Sequence, residues 1–538
     1  MRKRISRREA LAVGAGGFAL TSAIGIAPRY IGKAFASGEL AAGMTGGPTG
    51  FPGAERFQYN EEMSEGRAIE GIRKLKAEGK AASKIVMLLT DGAIGQINKP
   101  FPDGAPSVID VWNRETGIEV EIVGAPADEI WTRVLQDVTT GSGAYDIYTQ
   151  PWNNLGDLVE ANGAADISEF VEKYRPDWGD PERGTPTPEI ETLLYRYNGK
   201  YYSVSLDGDF QCWVYNKAVY DDPAHKVAFE DRYGHPLAPP ATWEECDHIS
   251  EYFTGVPGIT GAPMYGNGNM MSPFWGLPTF YGRFASMAAP NFHFFDENGN
   301  PNLDTELGIQ CAREHVALKQ WSHPDILSWT YAEAYAAMAN GLTAHISTYS
   351  NLAKFYDRMN ADGTPASPIT GKLGAYNPPG RIHDGKLIRR SVLYYNINAE
   401  VSEQSQNKET AYLFLQWLSS TRIFSWMTGN PGGYFDPFQK ANLSEPLVIE
   451  TYHDYLVPVI QETIKRSAPT LNFAGQTALD GALDEELQAA LTNQKTPEEA
   501  MKDCARRWTQ IIQRKGKDRT IEAINASRAA WPVVVDDL

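Results

Sequence analysis

At four places in this chain, acidic or amide side chains stand beside aromatic or turn-forming residues just past an apolar run. Asp91-Gly92 closes the run Lys84–Thr90. Gln150-Pro151-Trp152-Asn153 follows a run ending at Thr149, and Asp207-Gly208-Asp209-Phe210-Gln211 follows Ser203-Val204-Ser205. Tyr349-Ser350-Asn351 comes after the apolar stretch 344–346. These residue types suit a sugar or polyol. Aromatic rings cover the C–H faces of such a solute, and carboxylates and amides bond its hydroxyl rim. Each charge-assisted hydrogen bond contributes about 1.5–3 kcal/mol. Trp275, Tyr281, Tyr376 and Gly432-Gly433-Tyr434 offer the same chemistry and complete the candidate set, Gly433 and Tyr434 included.

Each candidate also has a plainer role. Asp-Gly is a common turn pair, so Asp91 and Gly92 can serve the backbone alone. Asp207 and Asp209 can serve only a hinge turn. An isolated Trp more often packs than binds. Trp321, Trp329, Trp417 and Trp508 sit in helical patterns and read as core, whereas Trp152 and Trp275 stand among Pro, Gly and Asn.

Other chemistries find little support. No nucleophile elbow, zinc-protease helix, phosphate loop or cofactor-binding pattern occurs. The nine His are scattered without metal-ligand spacing, and the reading expects no metal and no cofactor. Asp296-Glu297-Asn298-Gly299-Asn300-Pro301 is similar to a calcium loop, but Pro301 occupies the position that requires Gly. It reads as a polar hairpin turn. The tandem pairs Tyr201-Tyr202 and Tyr394-Tyr395 resemble those of ferric-ion receptors, yet strand alternation buries one ring of each. Cys212, Cys246, Cys311 and Cys504 are far apart and read as buried thiols or one incidental disulfide. A glycosidase using two carboxyls is the enzyme alternative, since it too needs acids and aromatics in a cleft. A receptor for ferric ion or a polyamine is the non-sugar alternative.

The chain has 538 residues and a net charge of −18. Its first 36 residues carry Arg2, Lys3, Arg4, Arg7, Arg8, Arg29 and Lys33 against Glu9, so the remainder holds 24 net negative charges. That surface repels phosphate backbones and excludes a nucleic-acid partner. The basic start, the weakly apolar run from Ala10 to Ala27 and Ala34-Phe35-Ala36 form a three-part export signal. Ser6-Arg7-Arg8 resembles the twin-arginine version. No cysteine precedes Cys212, so no lipid anchor follows the signal, and no later stretch reaches the roughly 20 apolar residues of a membrane span. These features predict a soluble periplasmic protein, and the reading expects it to act as a monomer.

The elements that would position the candidates alternate. A Gly- and Pro-rich arm at 37–60 leads to a helix over 61–79. The apolar run Lys84–Thr90 is a buried strand, the alternation IEVEIV over 118–123 a second, and 144–149 a third. Helices are predicted over 105–116, ended by Gly117, over 127–140, and over 155–162 with Gly163 as cap. This order predicts an α/β fold with a mostly parallel sheet, whose ligands sit at the carboxyl ends of the strands. Further helices are predicted over 305–322, 331–340, 407–420, 445–465, 476–492 and 497–514.

Seven segments, in order, resemble the extracellular solute-binding proteins of ATP-driven importers, in the sugar-binding cluster that includes maltose-binding protein. They are Asn198-Gly199-Lys200-Tyr201-Tyr202, Val214-Tyr215-Asn216-Lys217, Pro239-Pro240-Ala241-Thr242-Trp243-Glu244, Phe295-Asp296-Glu297-Asn298-Gly299, the stretch 336–344, the stretch 411–433 and the stretch 496–508. Ser203-Val204-Ser205 lacks the family's usual proline, and the N-terminal arm is long. The resemblance implies a type II-like periplasmic binding protein fold: two hinged lobes with the ligand cleft between them. It implies a first lobe of 84–205 plus 377–425 and a second of 206–376 plus 426–530, after an export signal at 1–36 and an extension at 37–83. It also implies that Tyr349 is the aromatic this family often places after that strand. The implied function is capture of a carbohydrate or polyol for delivery to a membrane permease, without catalysis.

Overall fold

The computed structural model describes residues 39–538 except 288–293, 361, 395, 470–472, 530–534 and 538. Side chains are also left undescribed at 152, 189, 468–469, 527–528 and 535–537. The export signal therefore lies outside the described residues, as does Tyr395.

Nine strands build two sheets. Along the chain they are β1 (Lys84–Thr90), β2 (Glu119–Ala125), β3 (Ile147–Pro151), β4 (Ser203–Ser205), β5 (Cys212–Asn216), β6 (Tyr265–Asn267), β7 (Thr343–Thr348), β8 (Leu373–Tyr376) and β9 (Ile397–Val401). The first sheet runs β2-β1-β3-β9-β4 and the second β8-β5-β7-β6. Strand β1 pairs in parallel with β2 and β3, as strand–helix alternation requires. Strand β9, in contrast, runs antiparallel to both β3 and β4. The first sheet is thus mixed rather than mostly parallel. The reason is topological: β9 re-enters this sheet from the second one instead of through a covering helix.

Two crossing segments join the sheets, 206–211 outbound and 377–396 on return. They lie side by side: Leu206 N donates to Ile397 O at 2.9 Å, and Gln211 N donates to Val392 O at 3.2 Å. A bridge also links Phe210 to Leu393.

Local sequence explains the covering helices. Helix α1 (Ser64–Ala77) belongs to the N-terminal extension and packs on α7 (Lys408–Ser419), with Ile69 and Ile72 in the first sheet's core cluster. Arg422 Nη1 ties the extension down through Gln58 O and Glu65 Oε1, each at 2.7 Å. The extension therefore wraps the body that holds the first sheet. Helix α2 (Asp91–Asn98) begins directly after β1, so Asp91 is its first residue and not a loop residue. A carboxylate in the first turn faces the helix's positive end, which explains the early start. Helix α3 (Val108–Thr116) starts where Ser107 Oγ accepts from Asp110 N at 3.1 Å, and ends at Gly117, whose φ of 60° is left-handed. Its Trp112 packs edge-on against Phe414, with ring centroids 5.2 Å apart. Helix α4 (Ile130–Thr140) follows β2. In the next, shorter helix (Leu155–Glu160) the left-handed residue is Asn162, with φ 56°, one position before the predicted Gly163.

The second sheet is flanked by α6 (Tyr331–Ala339), while α5 (Leu277–Ala285), α8 (Gln476–Leu491) and α9 (Pro497–Lys515) build the chain's second large cluster. Thr496 and Glu499 cap α9 reciprocally, as Thr-Pro-Glu-Glu predicts. Residues between Ile423 and Ile464 contribute to the cluster under the first sheet. All four cysteines are buried free thiols. Among the described residues, no helix is long and apolar enough to cross a membrane.

Candidate ligand-binding site

A cavity of about 620 Å³, counting its open mouth, lies where the strand ends of both sheets meet the crossing segments. The first sheet supplies Thr90 from the end of β1, and Thr149, Gln150 and Pro151 from the end of β3. The second sheet supplies Tyr349 just past β7. The outbound crossing segment supplies Asp209.

The walls are aromatic because residues from separate elements converge. Trp275 packs on Tyr331 with ring centroids 5.1 Å apart, and Phe274 stands edge-on to Trp275 at 5.2 Å. Tyr331 meets Tyr434 at 5.9 Å and Tyr335 at 5.9 Å. Tyr331 and Tyr335 are four apart on α6, so both rings leave the same helix face. Tyr434 is held by three contacts. Its hydroxyl lies 2.8 Å from Thr90 Oγ1, and its carbonyl accepts from Asn351 Nδ2 at 2.9 Å. Its ring lies over Gly92, where an added Cβ would fall 1.5 Å from a ring carbon.

Two polar side chains face this aromatic chamber while almost wholly buried. Gln150 is 1% exposed, and its amide stands beside the buried Glu400 carboxyl. Asp209 is 6% exposed, and its Oδ1 has no hydrogen-bond partner. Behind Asp209 stand Asp207 and Asp436, with one oxygen from each of the three carboxyls within 4.8 Å of the others. Asp207 Oδ1 accepts from Gly208 N at 2.8 Å and from Asp436 N at 2.7 Å. Asp436 Oδ1 accepts from the Tyr452 hydroxyl at 2.9 Å.

Lys354 is the only cation in this group, and its Nζ donates to Phe435 O at 3.1 Å. Burial drives the Asp207 and Asp209 carboxyls well above the usual range, and mutual repulsion adds to it. Burial raises Asp436 as well, to about 6, against the pull of Lys354. Burial lowers Lys354 to about 8 despite the three acids. Glu400, beside Gln150 and bonded by Ser203 Oγ at 3.0 Å, is raised by burial to about 8.

Of the candidates read from sequence, Gln150, Asp209, Trp275, Tyr349 and Tyr434 line the cavity. Others lie around it. Gly92 forms the floor under Tyr434, and Gly433 packs against Gln96. Asp207 and Ser350 are buried beside the lining. Asp91 is exposed and exerts its charge on Tyr331. Asn153 and Tyr281 point elsewhere: both bond Asp480 of α8, at 2.8 Å and 2.6 Å. Tyr376 is turned into the second sheet's interior, where its hydroxyl lies 3.0 Å from His345 Nδ1. The Trp152 side chain lies outside the described residues. Sequence reasoning missed Tyr331, Tyr335, Phe355 and Asp436. The i, i+4 tyrosines of α6 were the available signal, but the helix around them reads as core.

Residues 96–423 match the family described as bacterial extracellular solute-binding protein, well over half of the chain. The chain belongs to that family. It binds a solute and is not an enzyme. A curated relative from Sinorhizobium fredii (strain NBRC 101917 / NGR234), "Probable amino-acid ABC transporter periplasmic-binding protein y4oP", is 24% identical over 411 residues, covering 75% of this chain and 85% of the relative. Among solved structures, an ABC transporter solute-binding protein from Agrobacterium radiobacter K84 in complex with ribitol shares the fold at a TM-score of 0.63. It is 16% identical, with 79% of this chain and 98% of that one covered. Maltose-bound MalE3 of T. maritima also scores 0.63, at 18% identity, covering 79% and 99%. The present solute-binding protein shares its overall fold with these two-lobe proteins.

Proposed function

We propose that this solute-binding protein is the exported receptor of an ABC importer and takes one small sugar or polyol into the cleft. One observation carries the reading: a single cavity drawn from the strand ends of both sheets, walled by rings and holding the buried polar groups of Gln150 and Asp209. Rings suit the C–H faces of such a solute, and the amide and carboxyl suit its hydroxyls. The ribitol and maltose complexes of proteins with this fold support the same class. Contacts from both lobes favour the closed arrangement, with the paired crossing segments as hinge. The closed form then docks on the permease. The twin-arginine-like start supports export to the periplasm in folded form, where the receptor acts as a monomer.

A thermal-shift screen of sugars and polyols tests this. A true ligand at 100 times its dissociation constant is expected to stabilise the fold by about 2.7 kcal/mol. Silence across the whole panel contradicts the ligand class.

A further inference from the structure

We propose that the solute carries an ammonium group, seated between the Asp209 carboxylate and the rings of Trp275, Tyr331 and Tyr434. The inference rests on the small hydroxylated solute proposed above and narrows it to a cationic one.

The cavity's charge is one-sided. Among the described residues, no Lys, Arg or His lines it, and Asp209 is the one ionisable group other than tyrosines. Behind it, three buried carboxyls face a single ammonium, that of Lys354. Lys354 Nζ is engaged by Phe435 O and lies 5.3 Å from the Tyr452 ring centre, so it does not itself enter the cavity lining. The three carboxyls thus outnumber the one ammonium, and Asp209 turns Oδ1, which makes no hydrogen bond, toward the chamber. Gln150 adds a buried amide to the same lining, beside the Glu400 carboxyl.

The walls favour the same guest. Several of the polar groups that line the chamber are already used. Thr90 bonds Tyr434, Thr149 Oγ1 donates to Leu88 O, and Tyr335 donates to Asn351. A neutral solute with many hydroxyls would leave several unsatisfied, at a cost each time. An ammonium needs few acceptors, is attracted to ring faces, and gains most where water is excluded. A zwitterion fits less well, because no basic side chain lines the chamber to meet its carboxylate.

The groups facing Asp209 from the packed elements are Asp207, Asp436, Lys354, Cys212, Tyr335, Tyr434 and Tyr452. The acids among them are held above their ordinary range and keep protons that a bound cation displaces. Cation affinity must therefore rise with pH, whereas affinity for a neutral solute stays level.

Calorimetry on the whole mature protein with matched pairs tests this: N-methyl-D-glucamine against D-glucitol, and choline against 3,3-dimethylbutan-1-ol. The cationic member of at least one pair is expected to bind at least roughly tenfold tighter at pH 8, with most of that advantage lost at pH 5. Asp209→Asn is expected to bring the two members within about threefold. If that variant does not fold, the wild-type pH profile decides alone. Equal or tighter binding of the neutral member overturns the inference and leaves the sugar or polyol reading standing. Binding of neither member of any pair, nor of any sugar or polyol, overturns both. Competition by calcium ions would make the three carboxyls a metal seat and would also overturn it.

Discussion

Replacing Gly92 by Ala is expected to weaken solute binding by roughly 30- to 150-fold while leaving a folded protein, the equivalent of about 2–3 kcal/mol of misfit. Gly92 lies in the first turn of α2, directly under Tyr434. An added Cβ would fall 1.5 Å from one ring carbon of Tyr434 and 2.4 Å and 2.5 Å from two others. No rotamer of the methyl group avoids this, so the ring must leave its place. Its hydroxyl then loses Thr90, and the 430–436 loop, anchored by Asn351 at the Tyr434 carbonyl, is strained. The wall opposite Tyr331 goes with it. Titration of any confirmed ligand measures the effect. Gly481→Ala is the control, since a Cβ there meets nothing within 4 Å and binding should not change. Unchanged affinity in Gly92→Ala would remove Tyr434 from the site.

The second large effect falls on stability. Lys354→Met should cost about 3 kcal/mol at pH 7.5, because it removes the only positive charge among Asp207, Asp209 and Asp436. The hydrogen bond to Phe435 O is lost too, and with it the ammonium's position 5.6 Å from the Phe355 ring centre. The pH dependence has a definite sign. A carboxyl whose folded value is raised binds its proton more tightly in the fold than in the unfolded chain. Its protonated form favours the fold at low pH, and that contribution is lost as pH rises through the folded value. Asp436 sits at about 6 with Lys354 present, and without it the acids hold their protons higher still. The deficit of the variant should therefore shrink from pH 7.5 to pH 5. Denaturant melts at the two pH values measure it. An equal deficit at both would show that Lys354 acts through packing rather than charge.

What was legible in the sequence follows what is local. The run Lys84–Thr90 forms β1 as read, because the six consecutive apolar or β-favouring residues after Lys84 suit a strand buried on both faces. Thr496 and Gly117 cap their helices because capping depends on four or five neighbouring residues. Gln150 and Trp275 line the cavity, and each stood out in the sequence beside Pro or Gly. The rest depends on distant partners. Asn153 and Tyr281 carry suitable chemistry, but both bond Asp480, 327 and 199 positions away. Asp436 joins Asp207 across 229 positions, a pairing that no spacing rule reveals. Tyr331 and Tyr335 sit in a helix pattern whose apolar face is continuous, so the part of it that looks into a cleft cannot be separated from the part that packs. The antiparallel entry of β9 was hidden for the same reason, since strand direction depends on which sheet the chain returns from.

The central claim is that one solute is gripped from both sheets at once. Amide hydrogen exchange on the mature protein, stripped of solute and then saturated with it, tests this most directly. The account predicts slowed exchange in three places together: 149–151 on the first sheet's side, 274–275 with 331–335 on the other, and the crossing segment 206–211. Slowing confined to the loops of one sheet, with the crossing segment unchanged, would contradict it.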